Sequence, residues 1–266
     1  MILSMRGDKN SSIGVIGAGI QGVCIANFLI KKGFKVTLLD RYDPGNSASY
    51  GNAGHFSHYA ALSLNRPDII SDVPSMLFSS YGPLSIKWNY ILKFLPWAFK
   101  YLKNCSKHSM MHTAKGMNQI LSLSDDAFDE LFQEISLNGL IENNGILYFW
   151  TNKNLKQRKL ETKVKEELGI EQKLLNSNEI SELEPNIKKI YHSGVLYQKA
   201  RHARDPRAIL LKLFELFLKK GGKYFKENVE TINFSVDDKP KIKTNVKNYE
   251  FDKIVIACGA FSKRIN

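Results

Sequence analysis

The chain has 266 residues, 43% hydrophobic and 24% charged, which excludes fibrous and disordered classes and suits one large or two medium globular domains. Its net charge of +12 raises nucleic acid or an anionic membrane as partners. The lysines are dispersed and alternate with acids, as from Lys156 to Glu171, and no nucleic-acid-binding motif accompanies them, so no nucleic acid is expected. Cys24, Cys105 and Cys258 form no C-x-x-C pair; neither a zinc site nor a disulfide framework is expected, and a reducing, cytoplasmic setting fits.

The richest stretch is Ser12 to Asp40. An apolar run, Ile13–Ile16, leads into Gly17-Ala18-Gly19-Ile20-Gln21-Gly22, then an apolar helical pattern, Gly33, and a second apolar run ending in Asp40. This reads as strand, glycine turn, helix, strand and acid. Gly17 permits the tight turn, Gly19 removes a side chain where a pyrophosphate approaches the backbone, and Gly22 lets the helix lie close to the sheet. The helix N-terminus offers N–H groups and partial positive charge to phosphates. Asp40 follows Gly22 by 18 residues, near the roughly 20 expected for a ribose-binding carboxylate. The apolar stretch Val15–Ile30 is shorter than the roughly 20 residues of a membrane span and carries Gln21 and Asn27. The polar leader Met1–Ser11 lacks the basic start of an export signal, and none is expected.

Arg41 to Phe56 is rich in Gly, Ser and Asn and reads as a loop facing the nucleotide. Ser57–Tyr81 is irregular. Pro83–Lys103 has helical apolar spacing interleaved with lysines, and Pro96 is expected to break or kink it; it suits either packing within a helical domain or a membrane surface. Ala114–Leu137 reads as one helix ending near Gly139, Gly145–Thr151 as a strand and Lys153–Leu168 as a charged helix. Asn178–Pro185 reads as a short capped helix stopped by proline, and Ser193–Tyr197 as a strand. Asp205-Pro206 is an N-cap followed by proline at the first helical position, opening a helix that runs to Lys220 and stops at Gly221-Gly222. Lys223–Phe225 and Val229–Phe234 are expected in the nucleotide-binding sheet, and Lys241–Val246 with Tyr249–Phe251 as a hairpin. Ile254–Ala257 is a strand entering Cys258-Gly259 and the start of a helix.

These features resemble the FAD-dependent D-amino-acid oxidase superfamily, above all its bacterial D-amino-acid dehydrogenases. The likeness rests on the glycine motif with Asp40, on Gly51-Asn52-Ala53-Gly54, on Pro83–Trp88 through Leu95-Pro96-Trp97, and on the Asp205-Pro206 helix with Val229 and Ile256-Ala257-Cys258-Gly259-Ala260-Phe261-Ser262. It implies an α/β fold: a Rossmann-type, glutathione-reductase-like FAD-binding domain with an inserted α+β substrate domain, C-terminally truncated, since the family's pattern continues past the Ala-Cys-Gly strand. The expected segments are 12–60 and 201–266 for FAD binding and 61–200 for substrate.

By that resemblance Gly17, Ala18, Gly19, Ile20 and Gly22 cradle the pyrophosphate, Asp40 the ribose, Arg41 the adenine side, and Val229 the adenine through its backbone. Ala257 and Gly259 pack on the cofactor, while Asn52, Ala53, Gly54 and His55 lie near the flavin ring. His55 is the candidate catalytic residue facing substrate; a lone histidine reads equally well as a satisfied structural group. His202 and Arg204 read as loop or pocket residues. The implied reaction oxidises a D-amino acid or related amine by hydride transfer to flavin, giving a 2-oxo acid and ammonia. A glycine/sarcosine or 2-hydroxy-acid oxidase, or a non-catalytic remnant, are the alternatives. The implied partners are a small-molecule substrate and an electron acceptor or membrane surface, at the inner face of the plasma membrane if the chain is peripheral.

Overall fold

The structure, a computed structural model, describes residues 10–78, 85, 87–151, 155–234 and 239–265. The leader 1–9, Pro83, Leu84 and Ile86 of the expected lysine-rich helix, and Lys153 and Asn154 lie outside the described residues.

Among the described residues the strands in chain order are β1 (Ser12–Ile16), β2 (Lys35–Asp40), β3 (His55–Phe56), β4 (Ile141–Glu142), β5 (Ile146–Trp150), β6 (Lys173–Asn176) and β7 (Ser193–Tyr197). There follow β8 (Arg201–Ala203), β9 (Lys223–Lys226), β10 (Val229–Phe234), β11 (Pro240–Thr244), β12 (Asn248–Glu250) and β13 (Lys253–Ile256). The helices are α1 (Ile20–Lys31), α2 (Ile69–Phe78), α3 (Ile91–Lys103), α4 (Lys107–Leu121), α5 (Ser124–Phe132), α6 (Leu155–Glu167), α7 (Ser177–Leu183) and α8 (Pro206–Lys219). The chain divides into two compact units: Met1–Gly54, Ala127–Glu142 and Ala203–Asn266 form the first, His55–Asp126 and Asn143–His202 the second.

The first unit holds a parallel sheet in the order β13-β1-β2-β9. Ile13, Val15, Ile16, Val36, Leu38 and Leu39 are buried, as the near-continuous apolar runs of a parallel sheet require. Helices α1 and α8 pack together, and buried Asn27 of α1 donates to the Leu213 carbonyl of α8 at 2.9 Å. The polar residue inside the first apolar helix is thus a helix-to-helix tie. Asp205 caps α8 by accepting the Ala208 N–H at 2.9 Å, with Pro206 at the first turn, and Leu210, Leu213 and Phe217 are fully buried.

Val229–Phe234 does not join the parallel sheet. Only Glu227 and Asn228 separate β9 from β10, too few for the crossover of a dozen or more residues that a parallel return needs. Strand β10 instead forms an antiparallel sheet, β10-β11-β12. After β13 the chain enters a 3₁₀ helix, Gly259–Arg264.

In the second unit an antiparallel sheet runs β5-β7-β6, over a core including Tyr59, Ile146, Val195 and Tyr197. The expected helix from Ala114 to Leu137 is two helices. Ser106 accepts the Ser109 N–H at 3.1 Å and starts α4 at Lys107, and the Ser124 hydroxyl donates to the Leu121 carbonyl at 2.6 Å. A serine bonding back to the preceding turn competes with continuation of the helix. Asn176 and Glu179 form a reciprocal capping box on α7. Pro96 lies inside α3 and does not end it. That helix has no buried residue, and a backbone bond forgone at an exposed position costs less than one lost in a core.

Candidate functional site

The carboxyl ends of β1, β2 and β13 open into a cleft of about 630 Å³, the position where open α/β sheets bind ligands. Gly17, Gly19, Asp40, Val229, Ala257 and Gly259 line it, so residues separated by more than 200 positions meet at one site. Ile20, Arg41 and Asn52 also line it.

The glycine turn is built by close approach. Gly17 has φ +112°, and a Cβ there would lie 2.5 Å from the Ala257 carbonyl oxygen; its N–H donates to the Leu39 carbonyl at 2.7 Å. Gly22 sits behind the cleft, inside α1, where a Cβ would strike the Gly17 carbonyl. Gly19, by contrast, has ordinary extended geometry as the N-cap of α1, and the nearest atom to an added Cβ is the Ser49 hydroxyl at 3.3 Å. Gly19 is therefore the glycine whose missing side chain opens the cleft.

Asp40 does two things. Its Oδ2 accepts the Ala18 N–H at 2.7 Å and its Oδ1 the Tyr42 N–H at 2.9 Å, so it fixes the turn it faces. Each carboxylate oxygen accepts about two hydrogen bonds, which leaves capacity for ribose hydroxyls. Arg41 lies 4.8 Å from the Tyr42 and Phe261 ring centroids, and Arg264 lies over the same Phe261 ring, placing cationic groups at the cleft. The Ser49 hydroxyl accepts the Ile20 N–H at 3.0 Å. Ser49 was not singled out in the sequence, where it is one small polar residue among many in its loop. Burial, and then the charge of Asp40, push the Cys258 thiol above its usual range. The thiol lines the cleft and donates to the Ile16 carbonyl, a structural contact.

Of the second glycine loop, Asn52 reaches the cleft and its Oδ1 accepts the Gly54 N–H at 2.9 Å. The Gly54 carbonyl accepts from Ala203 N–H at 2.7 Å, and a Cβ on Gly54 would meet the Ala203 carbonyl; Ala53 links Asn52 to Gly54 in the chain. His55 belongs to the second unit. On β3 it stands opposite His202 of β8, the two rings edge-on with centroids 5.4 Å apart. Nearby in the same unit, Asp125 meets His58 Nδ1 and the Arg201 guanidinium, each at 2.9 Å. Arg204 pairs with Glu142.

These donors and acceptors fit a dinucleotide. A glycine cradle and helix N-terminus suit a pyrophosphate, a partly committed carboxylate suits ribose, and the start of a strand offers backbone groups to a base.

Comparison with known proteins agrees. The family model described as FAD dependent oxidoreductase matches residues 12–266. A D-amino-acid oxidase of Bradyrhizobium diazoefficiens is 30% identical over 256 residues, covering 95% of this chain and 61% of that protein. A D-amino acid dehydrogenase of Helicobacter pylori is 26% identical over 248 residues, covering 92% and 59%. The crystal structure of glycine oxidase from Geobacillus kaustophilus superposes with a TM-score of 0.65 at 15% identity, over 96% of this chain and 58% of that one. The chain thus spans about three fifths of the length of the curated relatives it matches.

Proposed function

The chain belongs to the family of FAD-dependent oxidoreductases, and we propose that it forms the FAD-binding half, with part of the substrate half, of an enzyme oxidising D-amino acids. The observation that carries this reading is the single cleft uniting the glycine turn, Asp40 and Val229. When bound, FAD supplies the acceptor for a hydride leaving the substrate α-carbon. The substrate becomes an imino acid, which water converts to a 2-oxo acid and ammonia.

The residues of this chain bind and orient. Gly17, Gly19 and the first turn of α1 hold the pyrophosphate, Asp40 holds the ribose, and Ala257 and Gly259 pack against the cofactor. Asn52 stiffens the loop through Gly54, and His55, beside His202 in the second unit, is the candidate catalytic residue. The relatives named for D-amino acids favour that substrate class over glycine or sarcosine.

The test is anaerobic bleaching of the FAD-loaded chain by a panel of D-amino acids, L-amino acids, glycine and sarcosine. Bleaching by D-amino acids supports the reading. Bleaching by glycine or sarcosine alone moves the protein to the glycine-oxidase class, and a loaded chain that no amine bleaches contradicts an amine-oxidising half that works by itself.

The same reading includes docking on an anionic membrane surface, supported by α3. Among the described residues no helix is long and apolar enough to cross a membrane. On α3, Leu92, Leu95, Phe99 and Leu102 form an exposed stripe, and Lys93, Lys100 and Lys103 are exposed beside it, the pattern of a helix lying in a lipid interface. Co-sedimentation with phosphatidylglycerol vesicles, lost in Leu92→Glu/Phe99→Glu, is the expected result; a chain left in the supernatant contradicts it.

A further inference from the structure

We propose that Glu227 and Asn245 are positioning residues that set the backbone edge reading the adenine base, an inference that rests on the FAD reading above. Glu227 is a buried carboxylate in the two-residue turn between β9 and β10. Burying such a group is costly unless its oxygens are satisfied, and here hydroxyls satisfy them: Oε1 accepts from Tyr249 at 2.8 Å and Oε2 from Thr244 at 2.6 Å. Both hydroxyls belong to the β11–β12 hairpin, so the carboxylate ties the start of β10 to that hairpin from within.

Asn245, in the tip of the same hairpin, closes both peptide groups of Asn228. Its Oδ1 accepts the Asn228 N–H at 2.8 Å, and its own N–H donates to the Asn228 carbonyl at 3.1 Å. Immediately afterwards the β10–β11 register shifts between Val229 and Thr231. A shift of this kind re-aims the local backbone out of the regular ladder. Glu227, Asn228, Val229 and Glu230 all line the cleft.

The segment also stands in the right place. Lys226 pairs with Asp40 across the β2–β9 register, so the chain that follows lies beside the acid assigned to ribose. A base joined to that ribose meets the 227–230 edge next. An edge of backbone donors and acceptors distinguishes bases only if it is held still, and Glu227 and Asn245 hold it from behind.

The test compares FAD with its deaminated analogue, which carries hypoxanthine in place of adenine, by titration of the 266-residue chain. Unmodified chain is expected to prefer FAD by about tenfold or more, the worth of one well-placed hydrogen bond. Glu227→Ala and Asn245→Ala are expected to erase that preference, bringing the two affinities within about twofold of each other. Glu227→Gln, which keeps an acceptor, is expected to restore most of it. A merely structural role would weaken both ligands equally and leave their ratio unchanged; that outcome, or unchanged binding, overturns the proposal. An unmodified chain that binds neither ligand overturns it together with the FAD reading, whereas one that binds FAD without preference overturns the positioning role alone.

Discussion

The cleft of the first unit and the polar interior of the second are built from different materials. Around the glycine turn of the cleft the decisive bonds run to backbone: Ala18 N–H and Tyr42 N–H to Asp40, Ile20 N–H to Ser49, Gly17 N–H to Leu39, and Ala257 N–H to the Ile16 carbonyl. In the second unit side chains hold one another. Lys165, itself buried, donates to Glu161 at 2.8 Å and to the Tyr197 hydroxyl. Tyr59 stacks on Tyr197 with ring centroids 4.0 Å apart, and its hydroxyl lies 3.2 Å from that of Tyr148. A site made of backbone needs particular residues at particular spacings, because only glycine fits the turn and only a short acid reaches it. A site made of side chains needs only that partners meet in space.

Substitutions that touch one system and spare the other sharpen this contrast. The largest effect is expected for Gly17→Ala, where a Cβ is forced into positive φ and against the Ala257 carbonyl. Strain and overpacking together cost at least about 3 kcal/mol, and denaturant unfolding with visible absorbance should show lost stability and no retained flavin. Unfolding unchanged within about 1 kcal/mol would mean that the turn is not the keystone of the cleft.

Asp40→Asn comes next. One of its oxygens becomes an amide that opposes a backbone N–H, and FAD affinity should fall about 10- to 100-fold, the worth of a hydrogen bond to a charged acceptor, as read by fluorescence titration. Lys165→Met should do the reverse: about 1–3 kcal/mol of stability lost, with FAD affinity within about twofold of the original. Thermal unfolding and FAD titration on the same sample check this, and a parallel fall in FAD affinity would show that the two systems are not independent.

The smallest effect is electrostatic. The Ser12 N–H and hydroxyl, with Lys239, hold the Asp252 carboxyl down at about 2, where it joins the start of β13 to the start of β1. Because the folded value lies below the unfolded one, this contribution is present above about pH 4 and is lost as pH falls through about 2. Asp252→Asn should flatten the loss of stability between pH 5 and 2 in urea midpoints; an unchanged slope would assign that loss to other carboxylates.

The same contrast governs what the sequence disclosed. The turn at Gly17–Gly22, Asp40, the Asp205 cap and the β13 strand were legible because each is a local pattern with one physical solution. The β propensity of Val229–Phe234 says nothing about its partner; the two-residue connection from β9 decides that and sends it to the antiparallel sheet. The break between α4 and α5 is hidden in the sequence because serines at 122 and 124 fit an exposed helix face as well as a break. Ser49, Glu227 and Asn245 were invisible for a stronger reason: each acts on backbone or hydroxyl groups 17 or more positions away, and no spacing encodes that. The opposition of His55 and His202 is of the same kind.

Retention of FAD by this chain is the direct measure of the cleft as a cofactor site. The 266-residue protein, incubated with excess FAD and then freed of unbound cofactor, should keep a flavin visible spectrum in near-stoichiometric amount, and the Gly17→Ala protein should keep none. A folded but colourless wild-type chain would contradict the assignment of the cleft as a self-sufficient FAD site.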